Sequence, residues 1–190
     1  LNIRGNDVPC NPVILCHAII YQNGNTDLFI NTNKIVDGFN NHVGTGVQIY
    51  EPELILTKLK ELNDKRVLFD SIGSNSFFKH KLESIGAQII IGDDPCSLPK
   101  ACKNNIEIQG MKNCHLRDAV AECEFLSWFD KQVNQGNMLD EGILADKLDQ
   151  IRSKQKFYQG LSFGTISAAA KNAAMCHYSH QNQDKPGKLE

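Results

Sequence analysis

No run of 18 apolar residues occurs in this chain, so no segment is long enough to cross a bilayer as a helix. Charge of one sign is also missing. With 20 Lys and Arg against 22 Asp and Glu, the formal net charge is −2, and no block of five like charges occurs. Bulk electrostatics therefore favour neither nucleic acid nor an anionic membrane as partner. No Gly-x-Gly-x-x-Gly or Gly-Lys-Ser/Thr follows a strand, which removes the usual phosphate loops. The seven cysteines include no Cys-x-x-Cys pair, and the steps from Cys96 to Cys102, Cys114 and Cys123 are too wide for structural zinc. Scattered among apolar residues, Cys16, Cys114, Cys123 and Cys176 suit a reducing compartment, and a cytoplasmic location is the expectation. Cys176 and His177 are neighbours, and on a strand their side chains would face opposite ways, so they form no direct nucleophile–base pair. The chain opens Leu1-Asn2-Ile3-Arg4-Gly5 without a Met or a signal peptide, which reads as the interior of something longer.

What is present is an ordinary globular composition, 41% hydrophobic and 22% charged, able to bury a core. The first half alternates strand and helix patterns. PVILCHAIIY, Pro12 to Tyr21, is an apolar run with β-branched residues and reads as a buried strand. Asn23-Gly24 followed by Thr26 to Ile30 predicts a hairpin. A strand over 46–50 leads to a helix over Glu51 to Leu62, with Pro52 in its first turn and Leu54, Ile55, Leu59 and Leu62 on one face. After a strand at Arg66 to Phe69, Ser71 or Ser74 caps a helix that carries Phe77, Phe78, Leu82 and Ile85 and stops at Gly86. Ala87 to Ile91 is the last strand. The series predicts an α/β domain with one largely buried sheet.

The segment from Gly92 to Lys103 holds two prolines and two cysteines and marks the boundary, giving domains over residues 1–102 and 103–190. Beyond it, Leu116, Ala119, Val120, Cys123, Leu126 and Phe129 form an apolar stripe along a helix over Ile106 to Val133, which Gln135-Gly136-Asn137 ends. A second helix, about Asp140 to Ser153, buries Ile143, Leu144, Leu148 and Ile151. Phe157 to Ile166 returns to strand character, and the polar tail from Ser179 reads as a loop.

Four stretches in order carry a resemblance: LNIRGNDVPCNPVILCHAII, IEIQGMKNCHLRDAVAECEFLSWFD, LDEGILADKLDQIR and SFGTISAAAKNAAMCHY. Together they resemble the aminopeptidase P family, the Xaa-Pro aminopeptidases among the pita-bread metallopeptidases. The resemblance implies a fold of class α/β: a creatinase-like N-terminal-type domain, a mixed sheet flanked by helices, followed by an incomplete pita-bread α+β domain. It implies removal of an N-terminal residue that precedes proline, with two divalent ions, manganese in that family, activating a water. His177 falls on the family's substrate-side histidine and is the substrate-binding candidate. No metal ligand and no complete catalytic set is carried over. The Asp-Ser-Gly element that opens the family's metal site is absent, and Asp70-Ser71 continues as Ile-Gly at a helix start. Ala170-Lys171 stands where the family has a Gly-Pro-type pair, and alanine resists the positive φ that glycine permits.

The expectation is a piece of such an enzyme, inactive and binding no metal by itself, with a proline-containing peptide as the complete enzyme's substrate and a homodimer or complementing chain as partner. The alternative is a non-enzymatic remnant, or half of a split enzyme, that acts by association. A third reading makes residues 1–102 an independent binding module. Plain readings stand beside these. His177 can be a strand histidine with its ring satisfied, Tyr178 packing or edge support, and His115 and Arg117 structural groups on the long helix.

Overall fold

Asn23-Gly24 makes the turn that the sequence predicts in the computed structural model, which describes residues 1–183 and 185–189. Gly24 takes φ +85°, its amide donates to the Tyr21 carbonyl at 2.9 Å, and the Tyr21 amide donates to Asn25 at 2.9 Å. The turn joins β1 (His17–Ile20) to β2 (Thr26–Phe29) in antiparallel register, Ile20 opposite Thr26. After a 3-10 turn at Thr32–Lys34 and the short helix α1 (Phe39–Val43), β3 (Val47–Tyr50) pairs parallel to β2. The sheet order β1-β2-β3 makes β2 central, and its neighbours shield it: Leu28, Phe29 and Ile30 are 0%, 1% and 0% exposed. The Phe29 ring stacks on Tyr50 with centroids 5.6 Å apart. Asp27 is buried beside them and is paired, accepting from the Tyr21 hydroxyl at 2.7 Å and lying 3.0 Å from Lys58 Nζ.

The segment expected as one helix over Glu51 to Leu62 is broken into a 3-10 turn Pro52–Leu54, the helix α2 (Ile55–Leu59) and a 3-10 turn Lys60–Leu62. Leu54, Leu59 and Lys60 keep right-handed helical backbone, so only the hydrogen-bond spacing changes along the stretch. Next, β4 (Arg66–Phe69), α3 (Ser76–Ser84) and β5 (Gln88–Ile91) form a strand–helix–strand unit whose strands pair in parallel. The cap of α3 is Asn75, whose side chain accepts from the Phe77 amide at 2.9 Å, not Ser71 or Ser74. Ahead of it Asp70 accepts from the Ile72 amide at 2.9 Å and closes a turn of its own. At the other end Gly86 sits at φ +86°, and Ala87 N–H reaches back to the Leu82 carbonyl at 3.0 Å, as in a Schellman stop. Phe69, Leu82 and Ala87 form the small core here, with Leu59, Leu62 and Phe78 against it.

Two expectations for this half are corrected. The sheet is mixed and helix-flanked but comes in two pieces, three strands and two, instead of one largely buried sheet. The Pro12 to Tyr21 run is strand only over His17–Ile20, the edge of its sheet, and Leu15 and Ile20 are 64% and 74% exposed instead of buried.

Internal contacts divide the chain into two compact units, Leu1–Asp7 with Pro12–Cys102, and Val8–Asn11 with Lys103–Glu190. A short helix α4 (Ser97–Ala101) closes the first. The second is built on α5 (Asn105–Asn134) and α6 (Glu141–Ser153). A capping box starts α5: Asn104 accepts from the Glu107 amide at 2.9 Å and Glu107 accepts from the Asn104 amide at 2.8 Å. Gly136 at φ +71° ends it. The α6 helix packs on α5, with Ala121, Ala145 and Ile151 buried, and Arg152 forks onto Asp118 at 2.7 and 3.0 Å.

The face that α5 presents is not the one that periodicity predicts. Ala121, with Phe125, Trp128 and, from the expected stripe, Phe129 partly covered, forms the packed side, while Leu116, Val120 and Leu126 stay 68%, 60% and 57% exposed. Small alanines let two helices approach, and a bulky stripe beside them is left over. Likewise Ile143, expected inside, is exposed. Residues 157–166 make no strand among the described residues. They run as an irregular segment, with the Thr165 hydroxyl donating to Asp149 at 2.6 Å. Asp184 and Glu190, part of the tail read as a polar loop, lie outside the described residues.

Candidate functional site

Leu139-Asp140-Glu141 begins the chemistry of the second unit. Asp140 takes the N-cap of α6, its carboxylate accepting from the Ile143 amide at 2.8 Å. That leaves Glu141 at the first helical position, free to bond outside the helix. Its carboxylate is completely enclosed, with donors arriving from four places in the chain. The Ala169 amide donates to Oε1, the Gly187 amide to Oε2 at 2.8 Å, and the Asn172 side-chain amide lies 3.1 Å from both oxygens. The Tyr178 hydroxyl donates to Oε2 and accepts from Asn172 Nδ2 at 3.1 Å. Burial pushes the Glu141 carboxyl upward, but the bonds from Tyr178, Ala169, Gly187 and Asn172 outweigh it and hold the group down at about 2. Burial and the bond to this carboxylate push the Tyr178 phenol up to about 12.

Backbone pairing closes the cradle from the far side. The Glu141 amide donates to the Gly187 carbonyl at 3.0 Å, and the Leu189 amide to Leu139 at 3.0 Å. A Cβ on Gly187 would lie 2.7 Å from Glu141 Oε1 and 2.9 Å from Asn172 Nδ2, so glycine alone fits here.

Between its anchors the chain makes a 3-10 turn, Ala170–Ala174, and then a bend. Ala170 sits at φ +47° and His177 at φ +55°, both in the left-handed region. His177 is exposed and makes no hydrogen bond, ion pair or ring contact among the described residues. The strand expected under it is absent among them, and the histidine lies instead one residue before the buried Tyr178. The positive φ at Ala170 has a direct consequence. Ala170→Gly is expected to raise stability by about 0.5–1 kcal/mol by relieving the left-handed alanine, read as a higher urea midpoint with an unchanged slope.

Elsewhere in this unit, a cleft of about 760 Å³ is lined by residues that include His115, Arg117, Leu148, Phe157 and Phe163. Arg117 lies over the Phe157 ring at 5.4 Å, and Asp118 is taken by Arg152. His177 is not part of its wall. No group of three or more His, Cys, Asp or Glu able to hold a metal ion is formed among the described residues.

Sequence reading does not single out Glu141, Asn172 or Gly187 as site residues, and it takes Tyr178 for packing or edge support. No local pattern marks the hub, because an acidic residue in the first turn of a helix is common and is ordinarily solvated.

The pattern of the creatinase/prolidase N-terminal domain matches residues 1–107. Over 186 residues the chain is 37% identical to a protein of Talaromyces stipitatus described as "Probable Xaa-Pro aminopeptidase P", covering 93% of this chain and 28% of that one. A protein of the same description from Pyrenophora tritici-repentis is 36% identical over 190 residues, covering 93% of this chain and 32% of that one. The crystal structure of the X-prolyl aminopeptidase of Caenorhabditis elegans, described as a cytosolic enzyme with a di-nuclear active site, matches with TM-score 0.77 and 28% identity, over 98% of this chain and 31% of that one. The chain thus spans between 28% and 32% of the length of these relatives.

Proposed function

We propose, since the chain belongs to the creatinase/prolidase N-terminal domain family, that it supplies one wall of a cytosolic Xaa-Pro aminopeptidase. In this reading residues 1–102 are the creatinase-type domain and 103–190 the beginning of the pita-bread catalytic domain. His177 faces a peptide with proline at its second position. The match over 98% of the chain to an X-prolyl aminopeptidase, which continues past the N-terminal domain into the His177 turn, is the observation that supports it. An exposed imidazole with no partner among the described residues is free to donate to a substrate carbonyl.

The donor set here does not fit a two-ion site. No cluster of three or more ligating side chains forms among the described residues, and Asp70 serves a turn amide. The ions, manganese in this proposal, are held by the remaining length of the enzyme, in a continuing or complementing chain.

Replacing the matching segment of the Caenorhabditis elegans enzyme with this chain tests the reading. The graft is expected to release the first residue from an Xaa-Pro peptide, with chelator abolishing the release. His177→Ala should lower kcat/KM by about 100-fold. A folded, ion-loaded graft without release, or a His177→Ala graft within twofold of the parent, defeats it.

The exposed Leu116, Val120 and Leu126 favour a second reading, in which the chain acts only by association. Co-expression with a chain that carries the remaining length separates the two, because association alone restores solubility without activity.

A further inference from the structure

We infer that Glu141 is a positioning residue, whose carboxylate holds the turn over residues 169–178 so that His177 is presented to a peptide. The inference rests on the reading of His177 above and adds what fixes that histidine in place. His177 has no anchor of its own, yet its backbone is held at φ +55°, and Ala170 at the turn's start is held at φ +47°. Left-handed backbone at residues other than glycine persists where the surroundings over-determine it. The over-determination comes from Glu141. It takes the Ala169 amide just before the turn, Asn172 within it, Tyr178 directly after the histidine, and the Gly187 amide beyond. Asn172 and Tyr178 are buried, so the bonds are made out of water on both sides of an exposed His177.

The anchor is itself rigid, because Glu141 belongs to the first turn of α6 behind the Asp140 cap. Its two oxygens use the acceptor capacity of a carboxylate, and every partner is a donor. Glutamine keeps the shape but turns an amide donor toward donors. Tyrosine to phenylalanine at 178 removes the bond donated to Glu141 and the one accepted from Asn172, and leaves the ring packed. Stability alone would be served as well by apolar packing in that volume. An acceptor serving donors on both sides of one exposed histidine serves its placement.

Two arms test this, both with Glu141→Gln and Tyr178→Phe. In the full chain, amide hydrogen exchange at Ala169 and Met175 is expected to speed up about tenfold or more, while α5 amides keep their protection. In the graft, kcat/KM per folded molecule is expected to fall about tenfold, and in the His177→Ala background the same substitutions should add less than twofold. Multiplicative losses in that background, or unchanged exchange at Ala169 and Met175, overturn the inference. Were Glu141→Gln to lose α5 protection as well, Tyr178→Phe decides alone. Full activity of the His177→Ala graft would instead defeat the proposed function, and the exchange arm would still decide whether Glu141 holds the turn.

Discussion

Glu141→Ala is expected to lower the stability of the second unit by about 3–5 kcal/mol, among the largest effects of any single substitution in this chain. The loss is not that of one bond. Removing the carboxylate leaves the Ala169 and Gly187 amides and the Tyr178 hydroxyl without their acceptor and leaves Asn172 only its bond to Tyr178, around a group that has no exposed surface. Loss of α5 and α6 amide protection in urea measures it. The same carboxylate sets an acid limit. Its pKa is held at about 2 in the fold against an ordinary value of 4.5, so the contribution is fully present above 4.5 and is lost as pH falls through that window toward 2. Acid titration of the parent chain should show the 169–187 segment loosening in this window. The Glu141→Ala chain, already loosened, should show no such step. A parent segment indifferent between pH 4.5 and 2 would contradict the assignment.

Phe29→Ala is expected to cost about 3–5 kcal/mol in the first unit. Phe29 is 1% exposed at the end of the central strand, stacked on Tyr50 and flanked by Leu28 and Ile30, which have no exposed surface to relax into the hole. Exchange of β2 amides reports the loss directly. Ile20→Ala on the edge strand is the contrast. With its side chain mostly in water, it should change stability by less than about 0.5 kcal/mol.

Turns and stops were legible because they depend on a few adjacent residues. Asn23-Gly24, Gly86 and Gly136 act through backbone conformations that few other residues adopt, and each sits where the sequence places it. Strands at 47–50, 66–69 and 88–91 and both long helices follow from pattern for the same reason. The choice of helix face was not legible. α5 carries apolar residues around much of its circumference, and Ala121, small and weak in any hydrophobicity count, took the contact that Leu116 and Val120 were expected to take. The strand expected at 157–166 failed because strand character needs a neighbour to pair with, and among the described residues none lies there.

The amino-acid order by itself determined where the chain turns, caps and stops, and which family it resembles, since those properties are local or are carried by ordered motifs. Only the tertiary structure decided that Glu141 is buried and that Tyr178 spends its hydroxyl on it. A carboxylate becomes a hub only when donors from residues 169, 172, 178 and 187 converge on it. Convergence across 46 positions of chain leaves no periodicity to read.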